Sequence, residues 1–130
     1  MLGSSQRNAV EEMRRRELMT ATPAQLTVKL FQRLLLDLHR AAADLGAGQP
    51  GAASSHLVHA QAILTELDST LDVNAWSGAA DLKAVYGYCL NTIAAANRDS
   101  DPAGVASALD LLTPVAEAFT QAARTSGTPS

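Results

Sequence analysis

Apolar residues in this chain recur at alternating steps of three and four, the spacing that aligns one face of an α-helix. The longest such run is Phe31, Leu34, Leu38, Ala41 and Leu45. Beside it lie Leu26, Val28, Leu30, Leu35 and Ala42. At about 100° per residue, apolar side chains therefore fill half the helix circumference or more. One neighbour would cover a narrower stripe, so this helix is expected to have neighbours on two sides and to form the centre of the fold. Three further seams follow it. They are Leu57, Ala60, Leu64, Leu67 and Leu71; Leu82, Tyr86, Cys89, Ile93 and Ala96; and Val105, Leu109, Leu112, Ala116 and Phe119. No stretch alternates with the period of two that a strand needs.

The ends of these segments are also marked. Thr22, Pro23 and Gln25 form a helix start: a hydroxyl cap, a proline with no N–H to lose, and a glutamine placed to reach back. Asp101 and Pro102 repeat the cap-then-proline device. The segment GAGQPGAASS, residues 46–55, reads as a stop, a turn and a new start, and DVNAWSG, residues 72–78, reads as a loop. Pro114 falls inside the last helix and is expected to kink it. Before the long helix, residues 9–19 have only a thin apolar side, Val10 and Met13, and predict a short, weakly held helix. The expectation is an all-α protein: an antiparallel four-helix bundle with an additional short N-terminal helix. Residues 1–130 are expected to form one domain, with a mobile segment over 1–18 and a frayed tail over 124–130.

Composition narrows this further. The chain is 47% hydrophobic but only 4% aromatic, so its core must be built largely from leucine and alanine. The net charge of −3 argues against a dedicated nucleic-acid binder, despite Arg14, Arg15 and Arg16. Charge is uneven, however. Residues 1–40 hold seven Lys/Arg and four Asp/Glu, whereas residues 41–130 hold three and nine. That pattern suggests either ordinary solvated faces or an acidic rim beside an apolar groove. The single cysteine, Cys89, allows no intrachain disulfide, and its seam position suggests a small buried hydrophobe. No apolar run approaches the roughly 18 residues of a membrane span. A soluble cytosolic protein is expected.

No catalytic constellation is present, and the expectation is a binding protein without cofactor or metal. His56 and His59 share a helix face, but three histidines in total leave little to build a metal site with. Both are expected as exposed residues near a helix start. Tyr86 and Tyr88 lie about 200° apart on their helix, so one packs inward and the other faces out. An outward tyrosine is either a half-buried surface residue or an anchor for a docked peptide. Trp76 either plugs the end of the bundle or lines a partner site.

Three blocks in order, MTATPAQLTVKLFQRLL, AQAILTELDSTLD and LKAVYGYCLNTIAAAN, resemble the flagellin-specific export chaperone FliS family. That family typically shows a T-A-S-P-E-Q-L start, an A-Q-x-I-I-x-E-L-x-S-S-L-D block, and an L-Y-D-Y block closing on A-N. The likeness covers about residues 10 to 123. Here Gly87 stands in place of the acidic residue of the last block. The resemblance implies a helical bundle that binds the disordered C-terminal segment of flagellin in the cytosol. It also implies that the chaperone prevents premature polymerisation and delivers the subunit to the flagellar export gate. A generic helical-bundle adaptor for another amphipathic helix is the alternative, and a small DNA-binding regulator acting through Arg14–Arg16 a weaker one.

The residues expected to meet the partner are Val10, Met13, Leu30, Phe31, Leu34, Leu67, Leu71, Trp76, Leu82, Tyr86 and Tyr88. The groove is expected around the fourth helix, through Tyr88, Trp76 or both. The N-terminal helix, through Val10, Met13 and Leu18, is expected to act as a displaceable lid over part of it.

Overall fold

The computed structural model describes residues 3–20 and 22–126. Five helices follow one another: α1 (Ser4–Thr20), α2 (Pro23–Gly46), α3 (Pro50–Thr70), α4 (Ala79–Asp99) and α5 (Pro102–Ser126). There is no strand among the described residues. Helices α2 to α5 pack as a closed ring in which α2 meets α3 and α5, and α4 meets the same two from the other side. The connections are a few residues long, so successive helices run antiparallel. The all-α bundle expected from the sequence is the fold.

The start of α2 is a complete capping box. The Gln25 amide donates to the Thr22 hydroxyl at 3.1 Å, and the Thr22 amide donates to the Gln25 side chain at 2.9 Å. Its end is a Schellman closure: Gly48 sits at φ 70, its amide donates to Leu45, and the Gln49 amide donates to Asp44. Helix α3 begins at Pro50, inside the segment 46–55 read as a stop, a turn and a new start, because proline at the first helical position serves there too. One start falls earlier than the sequence suggests: helix α1 begins at Ser4 rather than Ala9. Gln6 reaches back to the Gly3 amide at 3.2 Å, and the Gly3 carbonyl takes the Gln6 and Arg7 amides. At the other end, α5 runs helical through Pro114 to Ser126. The carbonyl that Pro114 leaves without its amide is that of Asp110, and both residues are exposed, so water can serve it. Residues 127–130 of the expected tail lie outside the described residues.

The core comes from the predicted seams. Phe31, Leu34, Leu38, Leu57, Leu64, Ile93, Val105 and Leu112 are essentially inaccessible to solvent. Alanines at the helix crossings let backbones approach closely. A Cβ placed on Gly104 would lie 2.9 Å from that of Ala96, so the α4–α5 crossing is as tight as glycine allows. The far end of α3 is stapled to α4 by Lys83, whose ammonium donates to the Asp68 carbonyl and carboxylate, both at 3.2 Å. Among the described residues, no helix is long and apolar enough to cross a membrane.

Among the described residues, helix α1 packs against none of the other four. Val10 and Met13 are largely exposed. The lid position expected from the sequence is therefore not the arrangement seen here, and the side chain of Leu18 lies outside the described residues. The stripe on α1 is too thin to hold a 17-residue helix down.

Candidate partner-binding groove

Phe31 organises one end of the bundle. Its ring stacks on Phe119 of α5 at 5.2 Å between centroids, and tilts against Tyr86 of α4 at 6.4 Å. Along the α2–α5 seam beside these rings lies a groove of about 360 Å³, lined by Phe31, Gln32, Leu35, Thr113, Ala116, Glu117, Thr120, Gln121 and Arg124. The floor is apolar, although Phe31 itself is fully covered. The rim is polar. Thr113 and Thr120 donate their hydroxyls to the carbonyls four residues back, at 2.7 and 2.8 Å, so methyl groups and oxygen lone pairs are what they offer outward. Glu117 and Arg124 are seven residues apart on the same face of α5, about 10 Å along its axis. The rim is thus of mixed sign rather than acidic throughout.

The expected site residues divide into three groups. Leu34, Leu67, Leu82 and Tyr86 are buried in the core with Phe31, while Leu30 and Leu71 are partly buried against it. Tyr88, on the outer face of α4, is 56% exposed. Trp76 does not plug the bundle: it is half exposed in the loop before α4, with its ring laid across Gly78. A Cβ on Gly78 would come within 2.0 Å of that ring, so only glycine allows the approach. Neither Trp76 nor Tyr88 touches the α2–α5 groove, and α1 carries Val10 and Met13 away from it.

Burial governs the titration of two seam residues. The Cys89 thiol is pushed up to about 11 by burial. The Tyr86 phenol is pushed up to about 12, first by burial and then by the negative charge of Asp68. Both groups stay neutral in the folded chain while the unfolded chain ionises them near 9.0 and 10.0. Folding stability should therefore fall as pH rises above about 9. A melting series across that range checks this, and the native thiol should resist alkylation at about pH 8. Labelling as fast as a free cysteine would contradict it.

The residue that periodicity missed is Asp37, which is completely buried between α2 and α3. Its Oδ2 accepts from His59 Nδ1, and its Oδ1 lies 3.4 Å from Arg33 Nε and 3.7 Å from His56 Nδ1. Asp44 meets His56 from its other side, 3.5 Å from Nε2. His56 is thus partly buried between Asp37 and Asp44, whereas His59 is exposed as expected but pairs with the buried Asp37. No group of three His, Cys, Asp or Glu with metal-holding geometry occurs among the described residues.

The three sequence blocks, the bundle and the groove point in one direction, and comparison with known proteins agrees. No curated protein matches the chain, but the family model described as flagellar protein FliS matches residues 6–126. That match spans nearly the whole chain, α1 included, and the chain accordingly belongs to the FliS family of flagellar proteins.

Proposed function

We propose that this chain is a flagellar export chaperone that holds the C-terminal segment of flagellin in the cytosol, prevents its premature polymerisation, and delivers it to the export gate. The observation that carries the reading is the α2–α5 groove, joined to membership of the family. An apolar floor with a polar rim is what an amphipathic helix requires of its seat. Glu117 and Arg124 set its direction. A docked helix is favoured with its positive N-terminus toward Glu117 and its negative C-terminus toward Arg124. Tyr88 and Trp76, around α4, form a second contact for the same segment. Helices lie about 10 Å apart, so an extended stretch of roughly six residues reaches from the groove over α5 to α4. The segment gains its structure on binding, which offsets part of the contact energy and keeps release feasible.

Helix α1, undocked, is the open position of a lid. When no flagellin is bound, Val10 and Met13 cover apolar surface weakly enough to be displaced. The test is calorimetry with a flagellin C-terminal segment, using the full chain and one lacking residues 1–18. Both should bind one-to-one with a negative heat-capacity change, the shortened chain at least as tightly. A folded shortened chain that loses binding would make α1 part of the site. If neither folded protein binds, the reading fails.

A further inference from the structure

Pro114 divides α5 into two halves that are held very differently. Before the proline the helix is sunk in the bundle. Val105, Ala108 and Leu112 are inaccessible to solvent, and a Cβ on Gly104 would lie 2.9 Å from that of Ala96. Beyond the proline, Ala116 is the one buried residue among those described, with Val115 and Phe119 partly buried against the core. Yet this looser half shapes the groove. Ala116, Glu117, Thr120, Gln121 and Arg124 all line it, and Thr113 stands just before the proline.

The backbone is weakest at the same place. Proline has no N–H, so the rung to the Asp110 carbonyl is missing, and the ring crowds that carbonyl. The preceding carbonyl, that of Leu109, accepts the Thr113 hydroxyl at 2.7 Å. Back-bonding of that kind also favours bending, so two adjacent carbonyls of one turn are both loosened. Asp110 and Pro114 stand on the solvent side of α5. Bending at the missing rung therefore carries the far half toward or away from the bundle rather than along its surface. We propose that α5 is hinged at Pro114, and that residues 115–126 form a jaw that swings from α2 to admit the partner's helix and then closes on it.

This rests on the α2–α5 groove being the partner's seat. The contact that shuts the jaw is the stack of Phe119 on Phe31 at 5.2 Å between centroids. Phe31 is fully buried and belongs to α2, the fixed wall, whereas Phe119 is carried by the moving one. A segment held by few buried side chains opens far more readily than one sunk in the core. Opening is confined to the half beyond the proline, because the half before it is locked against α4 at Gly104. A partner that enters only the open groove must wait for the hinge, so stiffening α5 slows association.

The test is NMR relaxation dispersion on the backbone amides of the free, isotope-labelled full chain. Exchange on the microsecond-to-millisecond scale is expected over residues 115–124, and at Gln32 and Leu35 across the groove. Residues 105–112 should be silent. Pro114→Ala restores the missing rung at an exposed position and should remove most of that exchange. Phe119→Leu keeps an apolar side chain but loses the stack, and should enlarge it. Pro114→Ala should also slow association with a flagellin C-terminal segment at least about fivefold in stopped-flow mixing. Dispersion needs no partner, so it decides the hinge separately from flagellin binding. Exchange that is absent beyond Pro114, equally strong before it, or unchanged in Pro114→Ala overturns the hinge. Association as fast in Pro114→Ala as in the wild type overturns its role in admitting the partner.

Discussion

Phe31→Ala should lower the unfolding free energy by about 3–5 kcal/mol, the range for removing a fully buried phenylalanine. The upper part of that range is expected, because Phe31 is the residue that joins three helices. It stacks on Phe119 and tilts against Tyr86, so the substitution removes two aromatic contacts together with the buried area. Total stability for a domain of this size is about 5–15 kcal/mol, so the variant should melt far below the wild type. Urea unfolding followed by helical circular dichroism measures it. A loss under about 1.5 kcal/mol would show that α2 and α5 close over the gap.

The second large effect is on binding. Thr120→Arg places a long charged side chain across the mouth of the groove, at a position where the wild-type hydroxyl is bonded only to its own helix. Flagellin affinity should fall at least tenfold, about 1.4 kcal/mol. The melting temperature should stay within a few degrees, because Thr120 lies on the rim and the core beneath it is unchanged. Tyr88→Ala on α4 supplies the contrast: as a peripheral anchor it should weaken binding without abolishing it. If Thr120→Arg binds as the wild type does while Tyr88→Ala loses the segment, the principal seat is α4 and not the α2–α5 groove.

Much of the fold was legible because its signals are local. The Thr22–Pro23–Gln25 start needs only neighbouring residues, and so does the Asp101–Pro102 start, where Asp101 Oδ1 accepts from the Ala103 amide at 3.0 Å. The seams were legible for the same reason: burial follows the three-and-four spacing from Phe31 to Ala116. A new start inside residues 46–55 was legible, but not its place at Pro50, since a proline among glycines and serines reads equally well as part of the turn. Asp37 was harder still. It stands three residues after Leu34 and four before Ala41, on the flank of the seam, but only α3 decides whether that flank meets water or two histidines. The groove could not be read at all from single helices. It depends on the space left between two helices at one level of the bundle, where Phe31 of α2 meets Phe119 of α5. Burial likewise depends on neighbouring helices: Leu34, Leu67 and Leu82, apolar seam residues named for the site, lie in the core.

The most direct test of the account is amide chemical-shift mapping of the isotope-labelled full chain as a flagellin C-terminal segment is added. The account predicts the largest shifts at Gln32, Leu35, Thr113, Glu117, Thr120 and Gln121, with smaller ones around Tyr88 and Trp76. Saturable binding whose shifts spare α2 and α5, or no shift at all from a folded chain, would contradict it.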